Sequence, residues 1–322
     1  MKKILNFTLA VLLAVLLLPI GARAAEELIP GGQVVGLELG TGTVTVAAFD
    51  EVLGAAAREA GLEVGDEIIL IDDTHITSAQ DVRRALEHSN SSVSMQVRRD
   101  GEVRSLRLSP GITSDGPRLG VYLRQGITGI GTVTYYDPDT KEFGALGHGV
   151  NSSDGTLLAM RRGSIYPATV LSVRKGQVGS PGQLLGSADS HESCGELLRN
   201  TQQGVFGTAP MNSGGQALEV CAAGDVHTGP AAIRSTVSGK SVREYSVEIL
   251  KIYPKARQNG RNLLIRVTDP ALLEATGGIV QGMSGSPIIQ DDKLIGAVTH
   301  VLVNDPTTGY GIFIENMLDA AA

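Results

Sequence analysis

From about residue 118 to its end, the chain is a succession of short apolar runs, each cut off by glycine before it reaches helix length. Val121 to Leu123, Gly129 to Tyr135, Ile165 to Val173, Val242 to Ile252, Leu263 to Val267, Ile288 to Ile289, Leu294 to Leu302 and Gly311 to Ile314 follow one another in this way. Runs of this length with turn signals between them suit strands, and in this number they predict closed barrels or a sandwich. Glycine supplies 41 of 322 residues and tryptophan none, which again favours tightly turned strands over a helical bundle. Only "LLEATGG" and the C-terminal "IENMLDAAA" read as helices in this part.

Residues 28–110 have a different texture, small and mixed α+β. Val34 to Leu39 and Thr43 to Phe49 read as strands separated by Gly40-Thr41-Gly42, and Gly54 to Ala60 as a short helix. Ser78 opens a second helix with Asp81 as its capping partner, and Val82, Ala85 and Leu86 give that helix one apolar face. A hairpin turns at Asp100-Gly101. "EAGLEVGDEIILIDDTHI" resembles the core of a PDZ domain. That resemblance implies a groove that takes an extended peptide as an added strand, with Val35, Gly36 and Leu37 at the position of the carboxylate-binding loop. The polar, turn-rich residues 111–117 are expected to link this domain to a second one over 118–322.

Lys2 and Lys3, an apolar stretch from Leu9 to Ile20 and the small-x-small Ala22-Arg23-Ala24 make residues 1–24 a signal peptide or a membrane anchor. The working part is therefore expected outside the cytoplasm, with membrane attachment at the N-terminus if the segment is kept. A net charge of −7 argues against a general nucleic-acid surface. Cys194 and Cys221 are the two cysteines. In an exported chain they can pair, and closing that loop is worth about 3–4 kcal/mol. Two cysteines are too few for a cysteine-based structural zinc site and no H-E-x-x-H occurs, and the serine chemistry read below requires neither a metal nor an organic cofactor.

The chemistry concentrates in "VQGMSGSP". A serine in a glycine-flanked turn projects its hydroxyl, and the same turn can aim the N–H groups of Gly282 and Ser284 at one point, an oxyanion hole. Ser284 is the expected nucleophile and Ser286, followed by proline, its rival. A neutral serine needs a base. His148, between Gly147 and Gly149, is the best-placed histidine; His75, His88, His191, His227 and His300 are poorer candidates, although His300 ends the strand after the serine. The third member of a triad is open on the residues alone among Asp269, Asp154, Asp189 and Asp225, and Asp269, preceding Pro270, also reads as a helix cap.

The serine turn, the strands after it and the final "GYGIFI" resemble the end of chymotrypsin-fold proteases. "LIPGGQVVGL", the PDZ core, "GALGHGV" and the tail "TGGIVQGMSGSPIIQDDKLIGAVTHVLVNDPTTGYGIFIENML" are similar to the stage IV sporulation protein B family of serine peptidases. That resemblance implies a mostly β chain, a PDZ domain followed by a chymotrypsin-like β-barrel peptidase, and a triad of His148, Asp269 and Ser284. It further implies a secreted endopeptidase of the space between forespore and mother-cell membranes. Such an enzyme cuts itself in trans, through its PDZ domain, and the regulator of an intramembrane metalloprotease, activating late sigma-factor processing. A non-catalytic PDZ scaffold and an envelope quality-control protease are the competing expectations.

Overall fold

A computed structural model describes residues 27–87, 92–152, 155–189, 192–210, 215–255 and 260–322. The N-terminal segment 1–24, His88, Asp154 and His191 lie outside the described residues. The chain enters through β1 (Glu27–Pro30) into β2 (Val34–Phe49), a strand of 16 residues. It then passes through α1 (Ala55–Glu59), β3 (Glu67–Ile71), β4 (Thr74–His75), α2 (Ala79–Glu87), β5 (Val93–Arg99), β6 (Glu102–Leu108), β7 (Gly111–Thr113) and β8 (Gly116–Arg118). A second strand of 16 residues, β9 (Val121–Tyr136), runs back along β2.

These two long strands belong to two domains at once. Their inner halves, Val34 to Gly40 against Gly126 to Thr132, pair with each other; β11 (Arg162–Arg174) pairs with Val35 to Gly40 on the other edge of β2, and β10 (Glu142–Ala145) with Val133 to Tyr136 at the end of β9. After β12 (Gln183–Ala188), an outer partner of β11, come β13 (Gly195–Thr201) and β14 (Gly204–Thr208). The pairings β2–β9–β10–β14–β13–β11–β2 close a first barrel around Leu37, Leu39, Val133, Phe143, Ile165 and Val205. The outer halves, Thr45 to Phe49 against Val121 to Arg124, belong to the α+β PDZ unit, whose core joins Val44 and Val46 to Ile68, Val82, Leu86, Val93, Met95 and Leu119.

The expected boundaries shift accordingly. Residues 34–40 are barrel strand, and 111–118 are not a bare linker but the hairpin β7–β8, packed beside α2. Gly40-Thr41-Gly42 does not separate two strands; it is a register shift inside β2, with Gly42 at φ +76°. The glycines relax the strand without ending it, so one strand reads as two. Within the PDZ unit, Ser78 Oγ accepts from Asp81 N–H (3.2 Å) and Asp81 accepts from Thr77 N–H (3.1 Å), the expected reciprocal cap of α2. Asp66 of the "VGDE" turn is buried; Arg99 Nε donates to it at 2.6 Å and Glu63 N–H at 2.9 Å. Burial pushes this carboxyl up, but the Arg99 fork and the Glu63 N–H outweigh it and hold it below the ordinary value.

Beyond β15 (Leu218–Glu219), the rest of the chain closes a second barrel in the order β16-β17-β18-β21-β20-β19. Its strands are β16 (Gly229–Ser235), β17 (Arg243–Ile252), β18 (Leu263–Val267), β19 (Pro287–Gln290), β20 (Lys293–Leu302) and β21 (Asp305–Phe313), with α3 (Pro270–Thr276) between β18 and β19 and α4 (Ile314–Ala321) at the end. Two six-stranded barrels, the first carrying the α+β unit as an insertion between β2 and β9, make the mostly β, chymotrypsin-like architecture expected. The cysteines do not meet. Cys221 is buried in the second barrel's core, Cys194 sits against the first, and both are free thiols. No helix among the described residues is long and apolar enough to cross a membrane.

Candidate active site

The turn between α3 and β19 holds Ser284 where the two barrels meet. Gly282 and Gly285 sit at φ +98° and +97°, a region that only glycine enters freely. At Gly285 a Cβ would lie 2.1 Å from Thr132 O and 2.5 Å from Leu146 N, so the close approach of the barrels also demands glycine. β9 of the first barrel clamps the turn: Thr132 N–H donates to Ser284 O (3.1 Å) and Thr132 Oγ1 to Gly282 O (2.8 Å). Met283, Gly285 and Ser286 give their N–H groups to Val280 O, Val298 O and Met283 O. Those of Gly282 and Ser284 have no acceptor among the described residues. Ser284 Oγ donates to Thr299 O at 2.9 Å.

His148 approaches from the first barrel, on the loop that leaves β10. Leu146 at φ +70° and Gly147 at φ +67° turn this loop, and a Cβ on Gly147 would press on Thr299 and Ile312 of the second barrel at 3.0 and 3.1 Å. Leu146 N–H donates to Thr132 O, so the same β9 residue ties the histidine loop to the serine turn. His148 Nδ1 lies 2.9 Å from Gly149 O, which can only accept; Nδ1 therefore carries the proton and Nε2 of the neutral ring the lone pair. Burial holds the imidazole below its ordinary pKa, against the opposing pull of that carbonyl.

Both residues line one cavity of about 490 Å³, together with Gly282, Thr299 and His300. The remaining lining is mainly aliphatic, and no charged side chain is among it. The His300 ring stands 5.4 Å from that of His148, centroid to centroid, tilted by 40°. Burial pushes His300 down to about 4, with the His148 and Arg261 charges adding to it. Of the poorer candidates for the base, His300 is the one that the tertiary fold sets against the His148 loop; a histidine at a strand end has no local signature of such a place.

Asp269 has no hydrogen bond to His148 among the described residues. It is the N-cap of α3, accepting from Leu272 N–H at 3.0 Å and Ser246 N–H at 3.4 Å, and it does not line the cavity. An aspartate before a proline at a helix start meets free N–H groups, and here they claim both its oxygens. Ser286 is fully buried and donates to Ser235 Oγ (3.0 Å), so it faces the barrel interior. His75 is exposed on β4, and His227 is bonded to Asp291 and the Thr228 carbonyl. Asp189 pairs with Lys240, and Asp225 is exposed.

Val35, Gly36 and Leu37 do not form a peptide-binding loop. They are mid-strand in β2, paired to β9 on one edge and β11 on the other, with no edge to offer a peptide. The open groove of the PDZ unit lies instead between α2 and the start of β9, a cleft of about 490 Å³ reached by Val82, Leu86 and Leu123, with the β7–β8 hairpin as a wall. At its end the chain turns through Leu119 and Gly120, the latter at φ +70°, and the N–H groups of both have no acceptor among the described residues. Arg83 and Arg118 stand at the same cleft.

A family model described as SpoIVB peptidase S55 matches residues 115–318, and a PDZ-domain model matches residues 51–99. No curated protein matches the chain. Among solved structures, the chain is similar to the Rv3671c protease of M. tuberculosis in its active form at 15% identity and a TM-score of 0.36, covering 59% of this chain and 71% of that one. It is also similar to the inactive form of the Rv3671c protease, at 14% identity and 0.34, with 59% and 81% covered. These structural likenesses are too distant to carry a residue-level correspondence. The first family match, which spans most of the chain and both the His148 loop and the serine turn, places it in the SpoIVB peptidase S55 family, as a serine peptidase with a PDZ domain.

Proposed function

We propose that the chain is a serine endopeptidase in which Ser284 is the nucleophile, His148 the base, and the N–H groups of Gly282 and Ser284 the oxyanion hole. What supports this reading is that one cavity between the barrels is lined by Ser284, by an imidazole with its lone pair on Nε2 and by a turn whose Gly282 and Ser284 N–H groups have no acceptor among the described residues. The hydroxyl must turn from Thr299 O to His148 Nε2. As Oγ bonds to a peptide carbonyl carbon, its proton passes to Nε2, and the oxyanion settles on the two N–H groups. The proton then goes to the departing amine, and water releases the acyl group by the same route. A fluorophosphonate probe should label the full chain at Ser284 and should not label Ser284→Ala; labelling at another residue would sink the assignment.

The PDZ groove supplies the protein target. An extended C-terminal segment adds along Val121 to Leu123, with its carboxylate at the Leu119–Gly120 N–H groups and Arg118. Family membership supports a signalling role in sporulation outside the cytoplasm: limited cleavage of a membrane-associated regulator and of a second copy of the chain. A general envelope quality-control peptidase is the second reading, favoured by the uncharged, mainly aliphatic cavity, which discriminates weakly among apolar side chains. Comparing the membrane proteome with and without Ser284→Ala separates them: one uncut regulator supports signalling, and many accumulated proteins support quality control.

A further inference from the structure

We propose that a second cavity, on the outer face of the first barrel, is a specificity site in which Glu38 receives a lysine or arginine side chain of the substrate. The inference deepens the reading of Ser284 as nucleophile and rests on it. It names the class of segment that is cut, one with a basic residue next to an apolar one.

The two cavities meet at β9. Through Gly126 to Ile130 this strand pairs with β2 on one edge, and no strand pairs with its other edge among the described residues. Backbone groups alternate in direction along a strand. Val133 N–H donates to Gln33 O on the β2 side, whereas Thr132 N–H donates to Ser284 O on the other. The register from Val34 to Gly40 is regular, so Ile130 and Thr128 also turn their N–H and C=O groups to the side of the serine turn. An unpaired edge that runs to the nucleophile is a template for an extended peptide. The side chains of a strand added there look alternately to the two faces of the β2–β9 sheet. On the inner face is the catalytic cavity, with Leu37, Leu39 and Ile127. On the outer face is a cavity of about 530 Å³, floored by Glu38, Thr128 and Tyr166 and walled by β12. Leu37, Gly129 and Ile130 line both.

The cavities differ in charge. No charged side chain lines the catalytic one, and Glu38 is the one charged side chain lining the outer one. Its two oxygens accept from neutral donors, Gln125 Nε2 at 2.9 Å and the Tyr166 hydroxyl at 2.8 Å. It has no ion pair among the described residues. Arg162, in the cleft on its far side, donates instead to Thr77 Oγ1 at 3.4 Å. Two neutral donors fix the carboxylate without cancelling its charge and leave it lone pairs for a cation. The reach fits as well. Glu38 stands opposite Thr128, so a strand added to β9 lies two strand spacings from β2, about 9.5 Å. A lysine or arginine stem and the glutamate side chain together span that distance. Gly36 and Gly186 leave the floor and the wall bare where the stem passes.

A positional library of internally quenched peptides, cut by the full chain, tests the inference. At one position, lysine or arginine should raise kcat/KM about tenfold over norleucine, with an apolar residue preferred at the neighbouring position. Glu38→Gln keeps the shape and an acceptor for Tyr166, and should make lysine and norleucine equal. Glu38→Lys should turn the preference to glutamate. Thr128→Trp, at an exposed position of the floor, should block the cavity and reduce the lysine preference without touching the carboxylate. A basic preference that survives Glu38→Gln and Thr128→Trp overturns the inference. So does a wild-type chain with no basic preference at any position, a result that needs no variant to fold. Fluorophosphonate labelling of the same samples separates the two readings. If the wild-type chain is not labelled at Ser284, the nucleophile assignment fails and the role of Glu38 falls with it. A chain that is labelled there but cuts no peptide of the library, or cuts without basic preference, overturns this inference alone.

Discussion

The two clefts of this molecule use the same backbone device for different ends. Between the barrels, Gly282 at φ +98° leaves a pair of N–H groups without an acceptor among the described residues; beside α2, Gly120 at φ +70° does the same. The first pair stands in an uncharged cavity with two imidazoles and a serine, and the second in a groove rimmed by Asp50, Arg83, Asp115 and Arg118. A free pair of N–H groups is thus an anion site of no particular purpose. The side chains around it decide whether the anion is a transient oxyanion or a permanent carboxylate. β9 carries both, with Val121 to Leu123 at the groove and Thr132 at the serine turn.

If the clefts are separate in chemistry, Ser284→Ala should lower turnover by about 10⁶-fold while leaving binding of a C-terminal peptide to the groove unchanged. Calorimetry on the same sample tests both halves, and a parallel loss of peptide affinity would break the distinction. The next effect is on the PDZ unit's stability. Asp66→Asn leaves Arg99 without its buried partner and should cost about 3 kcal/mol by thermal unfolding, with Ser284 labelling retained. The sign with pH follows from a carboxyl held below its unfolded value. Its contribution is complete above about pH 4 and is lost as pH falls through the lower, folded value.

The catalytic cleft has its own pH signature. Because burial depresses the pKa of His148, the neutral base persists below the ordinary imidazole value, so the acid limb of labelling rate against pH should have its midpoint under about 6.5. A midpoint above that value would place His148 beside an anion the structure does not show. The groove should respond more gently. Arg118→Ala should weaken C-terminal peptide binding by about tenfold, as expected for one charge-assisted contact, and leave probe labelling unaffected. Equal losses in both assays would mean that the length of β9 couples the clefts.

What was legible in the sequence follows the range of the interactions. Ser284, Gly282 and His148 are readable because their glycines are neighbours in the chain, and the α2 cap because Ser78 and Asp81 are three residues apart. The groove was misplaced because Val35-Gly36-Leu37 and Leu119-Gly120-Val121 are both apolar residues around one glycine. Only pairing on two edges marks the former as barrel interior. Strands β12 to β14 were not expected, since Gln183 to Thr208 mixes polar residues and glycine without clear alternation, and partners in the barrel, not propensity, make them strands.

Asp269 yields the smallest expected effect and the sharpest test of the two barrels' division of labour. As a cap, its needs are met by any side chain with an acceptor oxygen, and asparagine caps helices as well as aspartate does. Asp269→Asn should therefore leave thermal stability nearly unchanged and Ser284 labelling within about twofold of wild type. Asp269→Ala, which frees the Leu272 and Ser246 N–H groups, should cost about 1 kcal/mol and again spare labelling. A triad aspartate behaves in the opposite way: its amide costs about 10⁴-fold in the handling of the histidine proton, because the wrong tautomer is held. A collapse of labelling in Asp269→Asn at unchanged stability would thus show that the side chain leaves the α3 cap for His148 during catalysis. It would give the third role of the triad to a residue of the β18–α3 junction.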